Sequence, residues 1–459
     1  MNRPPSSRPR LLRAGAVLVA AGTVLAATAC GGSADDGSGD GRVTITVNGR
    51  PPEAQAVERA MFDADVAEFE EAHPEIDLEA VEGFMDPNTF AARLAGGQLE
   101  DVFYVYFTDP ANLIARGQAA DITEQAADMA ILDSVRPDAL DVFRDGEGRL
   151  YGIPTANYSM GLLYNRALFE EAGLDPDAPP ETWEEVREAA DAIAGLGDDR
   201  VGFAELSANN QGGWHFTAWM YAMGGQVVDT GGETPVAAFN NEQGRAVLRY
   251  LHDMRWADGS MGEQQLLEFE DAQRMMGSGN LGMYLAAPDN VSQLVNQFEG
   301  DFDDYGLAPM PGGLGTLAGG EGYMFNPAAT PEQIEAGLTY LEWRFLNPDR
   351  FQARIDRSLD NDAPVGLPMP PTPDIWTGEI REQQEALRLE NANVPVENYQ
   401  PFVDAAEQMP TRIEPPRAQE VYAVLDTVMQ AVLTDEAADF DALLGEAETA
   451  VNELLARPS

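Results

Sequence analysis

The side chains able to do chemistry in this sequence are overwhelmingly carboxylates. Asp and Glu number 78 in 459 residues, against 28 bases, three His and one Cys. Every base is Arg, for the sequence contains no Lys. A Walker P-loop is therefore excluded, since its Lys holds the phosphates. Imine-forming and pyridoxal phosphate chemistry lack their amine nucleophile, and the Ser-x-x-Lys machinery of penicillin-binding enzymes is absent. His73, His215 and His252 are far apart without metal-ligand spacing, so no zinc site is expected. There is no Gly-x-Ser-x-Gly. Asp301-Phe302-Asp303-Asp304-Tyr305-Gly306 begins like a calcium loop, but Tyr305 holds position five and no Glu follows at position twelve. It reads as an acidic turn before a strand. A carboxylate pair of the glycosidase kind has material everywhere, yet no spacing selects one. No metal and no cofactor are expected.

The formal net charge is −50. That excludes a nucleic-acid binder working through a basic footprint and disfavours docking of the folded body on anionic lipid. With 44% apolar and 8% aromatic residues the chain is not disordered overall, and its length allows two or three domains. Such acidity without Lys suits a saline habitat, where a Debye length of about 3 Å at 1 M salt screens the surface. A G+C-rich genome favouring Arg over Lys gives the same composition.

The N-terminus carries Arg3, Arg8, Arg10 and Arg13, then an apolar run over 14–27, then Thr28-Ala29-Cys30. This reads as a signal peptide over 1–29, its apolar run too short to span comfortably. The single Cys sits at the cut and resembles a bacterial lipobox with lipid on Cys30, Ala27 standing where Leu is usual. No Arg-Arg pair indicates twin-arginine export. Removing four Arg leaves 24 bases against 78 acids, a net −54. Residues 30–42, rich in Gly, Ser and Asp, read as the lipidated Cys and a flexible acidic tether. With no second Cys no internal disulfide is possible, and no later segment has 18 uninterrupted apolar residues.

The body alternates strands and helices. Residues 43–47 are β-branched and alternating, hence a strand. Val57, Ala60, Met61, Ala64 and Ala67 recur at helical spacing and predict a helix with that apolar face. Residues 76–81 alternate again, Pro87 opens a short helix, and 102–107 is a continuous apolar strand. Asp109-Pro110 starts a helix that stops at Gly117. This order predicts a parallel sheet covered on both faces, with ligands beyond the carboxyl ends of its strands. Thr182 and Glu185 form a capping box. Two long periodic helices occupy 415–433 and 438–456.

Several motifs carry a resemblance. Tyr151-Gly152-Ile153-Pro154, Leu163-Tyr164-Asn165-Arg166, Ala172-Gly173-Leu174 and Pro180-Glu181-Thr182-Trp183-Glu184-Glu185 fall in the order seen in the extracellular solute-binding proteins (family 1) of ABC importers, the maltose and multiple-sugar kind. Phe69-Glu70-Glu71-Ala72-His73-Pro74-Glu75-Ile76, Leu99-Glu100-Asp101-Val102, Ala222-Met223-Gly224-Gly225, 305–311 and Gly319-Gly320-Glu321-Gly322-Tyr323 extend it through nearly the whole mature chain. Ala286-Ala287-Pro288 departs from it where many members carry Gly-Trp. The resemblance implies an α/β, two-lobed periplasmic-binding-protein-like fold, each lobe a mostly parallel sheet flanked by helices. Crossovers are expected near 155–161, 307–311 and 346–365. The N-terminal lobe is expected at 43–155 plus 307–345 and the C-terminal lobe at 156–306 plus 346–459. It further implies a monomeric lipoprotein on the extracellular face of the membrane, held by Cys30. No catalytic residue is expected; by the same resemblance the protein is expected to capture a sugar or oligosaccharide by lobe closure and deliver it to the transmembrane subunits of an ABC permease.

A sugar site needs stacked aromatics and planar polar groups. Tyr158 and Asn157 lie where the family crosses its hinge, and Glu321 and Tyr323 in its Gly-rich loop. Tyr106 and Asp109 end the third strand, although Asp109 also suits a helix N-cap. Arg50 follows the first strand. Gln211 and Trp214 open a helix after 201–205, with Trp214 off the stripe of Phe216, Trp219, Met220 and Met223, which reads as core. Trp183 reads as structural and Trp376 is unassigned. A secreted carbohydrate hydrolase using a carboxylate pair and a ligandless surface lipoprotein are the competing readings.

Overall fold

A computed structural model describes residues 41–457 apart from 54–55, 84–86, 198, 233, 370 and 407. The leader 1–29, Cys30 and tether residues 31–40 lie outside the described residues. The alternating start forms β1 (Val43–Arg50), which pairs in parallel with β2 (Ile76–Glu82) and β3 (Val102–Tyr106). The helix Ala56–Ala72 makes the crossover between the first two. Among the described side chains its buried face is Phe62, Asp65 and Phe69, and not the expected Ala60, Met61, Ala64 and Ala67. Large rings gain far more from burial than Ala does, and the acid is admitted because Arg344, Arg350 and Arg357 all pair with Asp65 at 2.7–2.9 Å.

β4 (Gly152–Ser159) and β5 (Gly161–Asn165) are separated by Met160 alone, so one extended run leaves the first sheet and enters the second. The short strand β6 (Val201–Phe203), the hairpin β7 (Val228–Asp229) and β8 (Val236–Ala237), and β9 (Leu281–Ala286) follow. The chain returns from β10 (Tyr305–Ala308) in the second sheet to β11 (Thr316–Phe325) in the first. After β12 (Thr411–Ile413) it passes from the first sheet into the helix Ala418–Thr434 of the second core. Pro309 and Pro311, then Pro415 and Pro416, restrict φ in these last two connections.

The first sheet runs β12-β11-β3-β1-β2, with β4 on the other side of β11. Its β1–β2, β1–β3 and β11–β12 pairings are parallel, whereas β11 runs antiparallel to β3 and β4. The second sheet, β10-β5-β9-β6, corrects the expectation of mostly parallel lobes: only β6–β9 is parallel. The strands entering and leaving through the hinge lie side by side, so β5 and β10 must run in opposite directions.

Each sheet has its own core. Ile45, Phe103, Ile153 and Phe325 belong to the first; Leu162, Phe203, Trp219 and Leu425 to one face of the second, and Leu163, Tyr284 and Leu307 to the other. The packing does not change hands once at 346. Phe351, Ile375 and Trp376 lie in the first core, while Leu367, Tyr399 and Phe402 lie in the second sheet's outer core. The C-terminal helices, Ala418–Thr434 and Phe440–Leu455, close the inner face of the second sheet. The helix Gln211–Ala222 meets the first of these so closely that a Cβ on Gly213 would collide with the Tyr422 backbone. Gly212-Gly213 therefore serves helix approach.

Candidate functional site

On β3 the side chains of Tyr104 and Tyr106 share a face, two residues apart. Register places Tyr104 opposite Tyr323 and Tyr106 opposite Glu321 on β11. Tyr104 donates its hydroxyl to the Glu321 carboxylate, and the Tyr104 and Tyr106 rings meet edge to face at 5.2 Å. Tyr106 is 40% exposed, the outermost member of an otherwise buried strand. On the far side of β11, Gly319 pairs with Tyr158 of β4, and the Tyr158 ring covers the place a Cβ would take. Any other residue at 319 would push this ring away.

Carboxylates from separate elements surround these tyrosines. Glu414, Asp289 and Glu321 all act electrostatically on Tyr158. Asp109 acts on Glu414 and on Tyr106. Tyr422, on the C-terminal helix, donates to Glu414 Oε1 at 3.0 Å. Burial pushes the carboxyls of Glu414 and Asp109 up to about 7 and about 6, and raises Glu321 and Asp289 as well. The cause is loss of water around the charged form. Asp109 occupies the N-cap position of the helix Pro110–Ala115 but makes no side-chain cap bond, and its Oδ2 is buried without a partner. Among the described residues, none of the four carboxylates pairs with an arginine.

Tyr106, Asp109, Tyr158 and Glu321 are thus brought together, where the first sheet meets its crossovers. The remaining candidates are engaged otherwise. Arg50 grips Asp63 through two bonds of 2.7 Å. Asn157 is buried and donates to the Asp374 carbonyl at 3.3 Å. Gln211 accepts from the Phe269 N–H at 2.6 Å. Trp214 packs half-buried on the second core beside His215, at 5.2 Å. Tyr323 is buried in the first core and donates to the Asn48 carbonyl at 3.3 Å. Trp219 is core, its indole donating to the buried Glu205 at 2.9 Å.

Sequence reasoning missed Tyr104, Asp289, Glu414 and Tyr422. Glu414 belongs to no motif; only the short pairing of β12 with β11 carries it to the crossovers. Asp289 follows Ala286-Ala287-Pro288, where the chain departs from the resemblance. Here that loop presents a carboxylate where an aromatic was missing. Together these groups accept hydrogen bonds and offer aromatic faces.

Among the described residues no group of His, Cys, Asp and Glu is placed to hold a metal ion, and no helix is long and apolar enough to cross a membrane. The chain is 27% identical over 228 residues to a probable amino-acid ABC transporter periplasmic-binding protein of Sinorhizobium fredii, covering 49% of this chain and 50% of that protein. It is 24% identical over 219 residues to the sn-glycerol-3-phosphate-binding periplasmic protein of Agrobacterium fabrum, covering 46% and 47%. The chain spans about half the length of these curated relatives. The structure is similar to the cyclic α-maltosyl-1,6-maltose binding protein of Arthrobacter globiformis, with TM-score 0.69 and 23% identity over 90% of this chain and 99% of that one. It is similar to UgpB of Mycobacterium tuberculosis in complex with glycerophosphocholine, with TM-score 0.67 and 17% identity over 90% and 99%. These likenesses establish the two-lobed α/β fold, and all are to binding proteins. Residues 53–343 match the family model for bacterial extracellular solute-binding proteins, and the chain belongs to that family.

Proposed function

We propose that this chain is the substrate-binding lipoprotein of an ABC importer, which captures a sugar or oligosaccharide between its lobes and delivers it to the permease. The observation supporting this most is the convergence of Tyr106 and Tyr158 with Asp109, Glu321, Glu414 and Asp289 where the crossovers meet. Tyrosine rings cover the C–H faces of a sugar, and carboxylates accept from its hydroxyls in bonds worth about 1.5–3 kcal/mol each. Closing the lobes excludes water from both. The first lobe is taken as 43–159 and 316–345, with β12 and the side chains of Phe351, Ile375 and Trp376 that join its core. The second takes the rest of the folded body, as a monomer. Lipid on Cys30 and the acidic tether hold the protein at the outer membrane face. No bond is made or broken in this reading.

A thermal-shift screen of mono-, di- and trisaccharides tests it. A ligand at 100 times its Kd adds about 2.7 kcal/mol of stability, and Tyr158→Ala abolishes the shift. Stabilisation by a peptide or polyamine, with none by any saccharide, would overturn the ligand class.

A further inference from the structure

Among the described residues, the four carboxylates of the cleft lack the arginine partners that hold the buried acids Asp65 and Glu100; other buried acids of this protein are held by neutral donors. Asp65 has three arginines, and Glu100 pairs with Arg93 at 2.6 Å. Glu205 receives the Trp219 indole and meets His215 at 3.0 Å. Asp426 accepts the backbone N–H groups of Asn210 and Gly213 at 2.7 and 2.9 Å. In the cleft the donors are all neutral: tyrosine hydroxyls on Glu321 and on one oxygen of Glu414, amides of Asn290 and Gln293 and backbone N–H groups on Asp289, and the Thr108 hydroxyl and a backbone N–H on Asp109. Asp109 Oδ2 is buried with nothing donating to it. Arg412, two residues before Glu414, lies over the Tyr221 ring at 5.7 Å and donates to the Gly225 carbonyl at 3.1 Å.

We infer that the ligand is a hydroxyl-rich molecule carrying a protonated amine, an amino sugar or an aminocyclitol, and bears no phosphate or carboxylate. The inference rests on the function proposed above and narrows its ligand. Lobe closure removes water from the carboxylates, so beside a neutral guest they are driven to their protonated forms or left with an unpaired charge. An ammonium supplies the missing charge and several donors at once. The faces of Tyr106 and Tyr158 attract it further through their ring quadrupoles. A bare metal ion does not fit, because the acids are not clustered closely enough to coordinate one. An anion meets the acids with no arginine to offset them.

Proton linkage gives an independent readout. Glu414 faces Tyr158, Tyr422, Tyr221 and Asp109, with Arg412 beyond Tyr221. Asp109 faces Tyr106 as well. With Glu414 near 7 and Asp109 near 6, a bound ammonium favours their charged forms and drives protons off. Binding at pH 6.5 therefore releases protons, and a neutral sugar releases fewer.

The test is calorimetry of the mature protein with glucose and maltose derivatives bearing a primary amine at C2, C3 or C6, their N-acetyl forms and the matching sugar phosphates. Two buffers of different ionisation enthalpy report the protons. At least one amine is expected to bind tenfold or more tighter than its N-acetyl form, with net proton release, and the phosphates to bind weakest. Glu414→Gln and, separately, Asp109→Asn should shrink that preference, lowering amine affinity by a larger factor than the affinity for the N-acetyl form. If N-acetyl or phosphate forms equal the amines at every position, the inference is overturned and the sugar-binding function stands. If no saccharide of any charge binds, the proposed function fails and the inference with it.

Discussion

Glu414 offers the sharpest test of the site's electrostatics, because its charge should weaken the fold. Burial carries its carboxyl from the ordinary value of 4.5 up to about 7. A raised carboxyl pKa means that the folded state holds a proton the unfolded chain has released. Stability is therefore greatest below about 4.5 and is lost as pH rises toward 7. The difference corresponds to roughly 3 kcal/mol once the group is fully ionised. Glu414→Gln removes the charge and keeps an oxygen for the Tyr422 hydroxyl, which donates to Glu414 at 3.0 Å. Urea unfolding of both proteins at pH 5 and pH 8.5 reads the effect. The two should be of similar stability at pH 5, and the variant should lead by up to about 3 kcal/mol at pH 8.5. The Asp109 carboxyl should titrate lower in the variant, because a neighbouring charge is gone. A stability difference that does not change with pH, or a variant less stable at pH 8.5, would refute the picture of an uncompensated buried carboxylate.

Three further outcomes are expected. Asp426→Ala removes a carboxylate that takes two backbone N–H groups at the start of the helix Gln211–Ala222; losing such a cap costs about 2 kcal/mol, and a change below 0.5 kcal/mol in denaturant melts would count against it. Gly319→Ala forces the Tyr158 ring off its strand partner, so saccharide-induced thermal shift should vanish while the fold survives by circular dichroism; an unchanged shift would place Tyr158 outside the site. The mature chain, at net −54, should melt higher in 1 M KCl than in 0.05 M, since the Debye length contracts to about 3 Å; greater stability at low salt would remove the case for a saline habitat.

Periodicity and capping were legible because they are local. The capping box at Thr182 and Glu185 forms as written, and 43–47, 76–81 and the two C-terminal helices fold as their patterns require. The helix after β1 shows where local reading stops. Its type was set by spacing, but its buried face was chosen by Phe62 and Phe69, helped by arginines about 280 residues away that neutralise Asp65. An acid looks solvent-facing in a one-dimensional pattern until its distant partners are known.

The same division holds for the site. Strand ends and the family pattern pointed to Tyr106, Asp109, Tyr158 and Glu321, because ligand sites in such sheets sit beyond strand termini. Arg50 at a strand end, Gln211 at a helix start and Asn157 and Tyr323 from the family pattern were equally candidates, and were taken by structural partners instead. Composition determined the classes of chemistry this chain is denied, and hydrophobic order determined its α/β architecture. Only the tertiary structure decided which of 78 acids lose their water without gaining a cation. That depends on strands distant in sequence being laid side by side, and Coulomb energy follows distance in space and local dielectric, which no spacing along the chain encodes.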